Sequence, residues 1–140
     1  MKIFETTRDI AAPIDTVWRV LTKDMPRDPA PFGILRIDGA ITLGSRIHLW
    51  SEVDPKRRFA LKVVSFQPTR EMVWRGGMPL GFFTGTRTFS LESMAQHTRF
   101  QMREVLEGPL SAVIAKSIPD LTPSFEKFSQ ALKERAETNE

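Results

Sequence analysis

The segment Arg87-Thr88-Phe89-Ser90-Leu91-Glu92-Ser93-Met94-Ala95-Gln96-His97-Thr98-Arg99-Phe100-Gln101-Met102-Arg103-Glu104 decides the fold. It alternates with period two on both sides of a short polar stretch at 94–97, the pattern of two antiparallel strands joined by a turn. Counting outward from that turn sets Ser93 opposite Thr98, Leu91 opposite Phe100, Phe89 opposite Met102 and Arg87 opposite Glu104. Successive side chains of a strand point to opposite faces, so these residues share one face. Leu91, Phe100, Phe89 and Met102 are apolar, so that face points to the core. The same counting sets Arg87 and Glu104 on the inner side. Two inward charges are costly unless they meet each other or water. A one-residue slip would overturn the pairing.

The same period extends upstream. Strands are expected over 33–40, 45–53, 58–67, 71–76, 82–93 and 98–107, separated by Leu43-Gly44, Asp54-Pro55, Pro68-Thr69, Gly76-Gly77 and the segment from Met94 to His97. Six consecutive strands with short turns form an antiparallel meander. A further strand is expected over 3–10. Pro13 follows at the first turn of a helix, with Ile14, Val17, Trp18 and Leu21 as its apolar stripe. Three prolines between Asp24 and Pro31 end it.

After residue 107 the period is helical. Leu110, Val113, Ile114 and Ala115 mark one stripe, and Leu121, Phe125, Phe128 and Leu132 a second, with Pro119 breaking the ladder between them and Thr122-Pro123 restarting it. The run Lys133, Glu134, Arg135 and Glu137 is expected to fray into solvent. The result is an α+β chain: a seven-stranded curved antiparallel sheet wrapped around a long C-terminal helix, with a short helical segment after strand 1. The whole chain, 1–140, reads as a single domain. A sheet curved around one helix leaves room for a cavity between them.

Composition sets outer limits. Of 140 residues, 41% are hydrophobic and 26% charged, a balance that excludes a disordered chain. There is no cysteine, which removes disulfides, thiolate metal sites and a cysteine nucleophile. No apolar run approaches the roughly 18–20 residues of a membrane span, and Glu5 comes too early for a signal peptide. A cytoplasmic protein without integral membrane association is expected. Lys and Arg number 20 against 17 Asp and Glu. The one tight basic cluster, Lys56-Arg57-Arg58, reads as a solvated hairpin turn rather than a nucleic-acid footprint, so no nucleic-acid partner is expected.

Residues of the middle hairpins and the tail complete the resemblance. Ile10-Ala11-Ala12-Pro13 with Val17-Trp18 and Leu21, Pro68 with Met72-Val73-Trp74, Phe89-Ser90-Leu91, His97-Thr98-Arg99-Phe100, Glu104, Gly108, and Phe128, Leu132 and Ala136 together resemble the birch-pollen-allergen-like, START helix-grip superfamily, with its polyketide cyclase/dehydrase-like (SRPBCC) members. The likeness spans nearly the whole chain. It implies the helix-grip fold, and it implies binders, transporters and enzymes alike.

Arg87 and Glu104 carry two readings: a polar anchor inside an apolar pocket, or an ion pair that closes one end of the sheet. Trp50 and Trp74 could stack on a ring-shaped ligand or fill the core. The segment 76–83 reads either as a lip that touches a ligand through Met78 and Phe82 or as an ordinary wide hairpin. Phe89, Met102, Ile114 and Ile118 complete the expected lining. Arg8 shares a face with Phe4, Thr6 and Ile10 and points either inward or to a solvated edge. His48 and His97 lack carboxylates at ligand spacing, so neither a metal nor another cofactor is expected. The function expected first is binding or transport of a small hydrophobic molecule, a lipid or an aromatic, polyketide-like metabolite. A cyclase or dehydratase using Glu104 and Arg87 and a protein-interaction regulatory module are the alternatives. Nothing in the sequence separates a monomer from a homodimer.

Overall fold

A computed structural model describes residues 1–116 and 118–138. Its strands are β1 Lys2–Ile10, β2 Ile34–Asp38, β3 Arg46–Ser51, β4 Asp54–Gln67, β5 Glu71–Gly77, β6 Thr84–Met94 and β7 His97–Glu107. The sheet is antiparallel in the order β1-β7-β6-β5-β4-β3-β2, so β2 to β7 form the meander and β1 joins its last strand. Register shifts in β2, β3 and β4 mark bulges that bend this half of the sheet. Helix α1, Ile14–Arg19, follows β1 and continues through a π-helical turn, Val20–Asp24, into α2, Met25–Arg27. The tail holds α3, Ser111–Ala115, and α4, Thr122–Thr138.

The β6–β7 register is the one counted from the sequence: Ser93↔Thr98, Leu91↔Phe100, Phe89↔Met102 and Arg87↔Glu104. The turn is tighter than expected, because Met94 pairs with His97 and leaves Ala95 and Gln96 at the tip, with Ala95 at φ 37°. Two expectations are corrected. Lys56, Arg57 and Arg58 lie on β4, not in a turn; the β3–β4 turn is Glu52-Val53, between the paired Ser51 and Asp54. Pro55 is tolerated at the start of that strand, where a missing donor costs little. The second correction concerns the C-terminal charges, which do not fray. Lys133 pairs with Glu137 one helical turn away, and Glu137 Oε2 accepts the Ala11 N–H at 2.8 Å. These bonds hold the end of α4 to the β1–α1 corner.

Helix α4 closes the concave face with its apolar stripe. Phe125, Phe128, Leu132 and Ala136 are all buried. The Phe128 ring meets Phe32 at 5.3 Å, Phe89 at 5.7 Å and Phe100 at 6.2 Å between centroids. Asp120 Oδ1 accepts the Thr122 N–H at 3.0 Å and caps the helix after the Pro119 break. The β7–α3 connection is fixed by Gly108 at φ 109°, where a Cβ would stand 2.6 Å from the Phe82 carbonyl oxygen.

Phe128→Ala is expected to cost about 3–5 kcal/mol, read by urea denaturation, because three rings lose their common neighbour. A second expectation concerns acid. Glu137 is held below the usual carboxylate range, first by its hydrogen bond with Lys133 and then by the Ala11 N–H. A carboxyl depressed in the folded state stabilises above its unfolded value and loses that contribution as pH falls through the folded one. Glu137→Gln should therefore destabilise by less than about 1 kcal/mol near neutrality, with the difference vanishing in urea melts below the carboxylate range.

Candidate functional site

The inner face carries one polar row. Phe4 on β1 pairs with Glu104 on β7, Glu104 with Arg87 on β6, Arg87 with Trp74 on β5, and Trp74 with Val63 on β4. Arg87 Nε donates to Glu104 Oε1 at 3.1 Å. The two side chains keep 21% and 15% of their exposure, so water reaches the pair from one side. The Arg87 guanidinium lies 5.0 Å from the centre of the Phe125 ring, and Phe125 meets Phe4 edge to face at 6.4 Å. An ion pair half sheltered by aromatic rings thus stands at the N-terminal end of α4.

Trp74 is 1% exposed and packs edge-on against Phe89 at 4.7 Å. Its indole Nε1 is buried and has no hydrogen-bond partner among the described residues. One row further along, Gly76 opposes Gly85. A Cβ at Gly85 would meet Leu106 Cδ2 at 3.5 Å and otherwise only the Gly76 carbonyl oxygen at 3.9 Å. At Gly76 the corresponding position is filled: a Cβ there would stand 2.7 Å from both the Ala60 carbonyl oxygen and Leu61 Cδ2, so the glycine lets β4 approach closely beside Trp74.

The structure therefore brings Arg87, Glu104 and Trp74 into one row. Phe89 and Met102 occupy the next row, at 0% and 1% exposure, with the Phe128 ring of α4 against Phe89. Between them and solvent stands the helix. Ile118 packs on the core and Ile114 is half-buried. Met78 and Phe82 are exposed by 44% and 45%, on a loop closed by the Met78 N–H donating to the Phe83 carbonyl at 2.8 Å. Trp50 stands apart: it lies on β3, three strands from Arg87, half-buried beneath the Arg36 guanidinium at 5.3 Å.

The parts played by Phe4 and Phe125 and the Gly76–Gly85 pairing went unanticipated. Phe125 and Phe4 reach the pair through the β1–β7 pairing and the helix, contacts separated by about a hundred positions that no local pattern reveals. The Gly76–Gly85 pairing was within reach, since the β5–β6 register follows from the same counting as the last hairpin. Arg8 points inward: it binds Glu126 Oε2 at 2.6 Å and Gln130 Oε1, while Thr6 Oγ1 donates to Glu126 Oε1. This network ties β1 to α4 and takes no part in the Arg87 row. Two surface depressions lie elsewhere. One, about 560 Å³, is lined by Thr7, Asp9, Glu92, Arg99 and Gln101, residues that alternate with the inward ones. The other, about 400 Å³, runs between Phe32 and Ala131. Neither reaches Arg87. Among the described residues no group of three or more His, Asp or Glu could hold a metal ion, and no helix is long and apolar enough to cross a membrane.

Comparison with known proteins agrees with this architecture. The family described as polyketide cyclase/dehydrase and lipid transport matches residues 1–137. The chain belongs to that family. Solved structures show the same fold at low identity. Protein MLL2253 from Mesorhizobium loti is 15% identical with a TM-score of 0.76, covering 99% of each chain. The Aha1 dimer from Colwellia psychrerythraea is 19% identical with a TM-score of 0.72, covering 98% of this chain and 97% of that one. DynU16, from the dynemicin biosynthetic locus, is 19% identical with a TM-score of 0.72, covering all of this chain and 49% of that one. No curated protein matches the sequence. Membership in this polyketide cyclase/dehydrase and lipid transport family supports hydrophobic-ligand binding as the general function.

Removing one member of the pair leaves a half-sheltered charge alone, whereas removing both leaves an apolar surface. Arg87→Met and Glu104→Met are each expected to destabilise by about 1–3 kcal/mol, and the double variant by less than their sum. A double-mutant cycle in urea measures that coupling.

Proposed function

We propose that the protein binds and carries a small apolar molecule, a lipid or an aromatic, polyketide-like metabolite, at the Arg87 end of the concave face, as a cytoplasmic carrier. The observation that carries this reading is the Arg87–Glu104 pair, partly open to water yet set among Trp74, Phe125 and Phe4. A stretch of apolar and aromatic surface with few convergent polar groups is the usual make-up of a small-molecule site. The exposed Met78 and Phe82 on the adjoining loop extend that surface toward solvent. The rows at Phe89 and Met102, with Ile114 and Ile118, then serve as its wall and support.

A cyclase or dehydratase would draw on the same pair, with Glu104 moving a proton and Arg87 polarising a carbonyl. A specific observation favours a third reading, docking to another protein: Leu80 is 91% and Val113 67% exposed, with Met78 and Phe82 beside Leu80 on the same loop.

Native mass spectrometry of gently purified protein is the direct test. A reproducible extra mass of a few hundred daltons, absent after denaturation, is expected and supports a carrier or an enzyme. A clean unliganded mass favours the docking module. If a ligand is found, Glu104→Gln separates the remaining two: lost turnover with retained affinity marks the enzyme.

A further inference from the structure

The outer face of the sheet divides into two halves of different charge. On β1 and β7 the outward cations have partners: Arg99 binds Asp9 at 3.2 Å and Arg103 lies 3.8 Å from Glu5. On β3, β4 and β5 they do not. Arg46 pairs with Lys62 and Lys62 with Arg75, three exposed cations in one row across three strands. Their strand neighbours Ile47, Val63 and Trp74 are buried in the core, so the row points outward. Adjacent strands lie about 4.8 Å apart, and the row spans roughly 10 Å. Arg58 continues the same side of β4 beyond Ala60, while Arg57 turns the other way onto the Phe59 ring at 5.0 Å. None of Arg46, Lys62, Arg75 and Arg58 is ion-paired among the described residues. The acids on this side are Asp38, which already holds Arg36 at 2.8 Å, and Glu71 at the far end of β5. Like charges set directly opposite destabilise a sheet, and no acid in the row offsets that cost.

From this uncompensated row we infer that the outer face of β3, β4 and β5 binds single-stranded nucleic acid, with phosphates along Arg46, Lys62 and Arg75 and a base on Trp50. The ground for expecting no nucleic-acid partner was a turn at Lys56-Arg57-Arg58, and those residues lie on β4 instead. Trp50 stands on the same outward side of β3 as Arg46, half-buried, with the Arg36 guanidinium 5.3 Å from its ring centre. Cations that track a backbone beside an aromatic ring on which a base stacks are the usual parts of a single-strand site. An acidic peptide would use the cations and leave the ring without a stacking partner. A membrane surface fits worse. Every exposed large hydrophobic side chain among the described residues lies off β3, β4 and β5, so this face has nothing to sink into lipid. A duplex keeps its bases stacked inside and offers none to Trp50. The face lies on the far side of the sheet from Arg87 and Glu104, so this inference stands independently of ligand binding there.

The test is fluorescence anisotropy of a labelled oligothymidylate of about fifteen nucleotides, titrated with the full-length protein over a series of salt concentrations. Saturable binding is expected, with log K falling against log salt at a slope of about −2, the sum for three phosphates in a single strand. The triple variant Arg46→Gln, Lys62→Gln, Arg75→Gln should lose about tenfold or more in affinity and most of that slope. Its urea midpoint should stay level or rise, because a repulsion is removed; should the triple variant fail to fold, Lys62→Gln at the centre of the row is read in its place and shifts both quantities in the same direction. Arg99→Gln with Arg103→Gln removes two cations from the other half of the sheet and should leave the affinity within about twofold. Trp18 and Trp74 are buried, so quenching of tryptophan emission at saturation reports a base on Trp50. No binding at low salt, an equal loss in the two sets of variants, tighter binding of a duplex of the same length, or unquenched emission at saturation would overturn the inference. So would tighter binding of polyglutamate, or of phosphatidylcholine vesicles carrying one-third phosphatidylglycerol, results that assign the face to an acidic protein or to a membrane.

Discussion

The packing of Phe128 against Phe32, Phe89 and Phe100 is the contact on which the rest of the architecture depends. Those three rings come from the loop before β2, from β6 and from β7, so one side chain of α4 joins that loop to the β6–β7 hairpin. A flat sheet could not present all three to a single helix. The bulges in β2, β3 and β4 bend the far half of the sheet inward, and the right-handed twist of the strands does the rest. Interiors pack at crystal-like density, so a ring in that position admits nothing else beside it. Any space for a ligand must therefore lie away from Phe128, toward the end of the sheet where Arg87 stands.

The polar contacts of α4 place the helix consistently with this. Glu126 and Gln130 take hydrogen bonds from Thr6 and Arg8, and Lys133 and Glu137 bind the backbone at Asp9 and Ala11. These partners belong to β1 or the residues just after it, while on the opposite flank Lys127 binds both carboxylate oxygens of Glu52 in the β3–β4 turn, at 2.8 and 3.0 Å. The helix is thus held on both flanks, and its first turns pass over the β1–β7–β6 portion through Phe125. The β5–β6 end, where Gly76 faces Gly85, receives no such ties.

Much of this was readable from the sequence, and the reason is locality. The β6–β7 hairpin joins its strands through two residues, so counting from the turn settles its register and places Arg87 opposite Glu104. The apolar stripe of α4 and the break at Pro119 follow from period and proline chemistry within a single segment. The failures came where partners are distant. The stretch Lys56-Arg57-Arg58 has turn-like composition, yet Pro55 sits at a strand start and β4 runs from Asp54 because Ser51 pairs with it. The charges at 133–137 look solvated until the β1–α1 corner supplies an N–H and a carbonyl. Phe4 and Phe125 join the site only through the pairing of the first strand with the last. No window of sequence contains that pairing.

The inward ion pair also bears on how the register is held. Sliding β6 by one residue along β7 would turn Phe89 and Leu91 away from the core, and that loss alone is severe. The charges add a second lock on both faces. Arg87 meets Glu104 inside, while outside Glu92 opposes Arg99, which binds Asp9 at 3.2 Å, and Arg103 lies 3.8 Å from Glu5. A slip of β6 would set Arg87 against Arg103 or Val105 and part Glu92 from Arg99, while the Asp9 and Glu5 matches hold the separate β7–β1 register. Arg46, Lys62 and Arg75 on the other half oppose one another directly, with no acid in the row, so electrostatics guide the pairing of β6, β7 and β1 and not that of β3, β4 and β5. There the bulges and the buried Ile47, Leu49 and Val63 must do it. A pair that sets register needs only the Nε–Oε1 bond. That bond, with Glu92 opposite Arg99, is what charge adds to the apolar match of the hairpin.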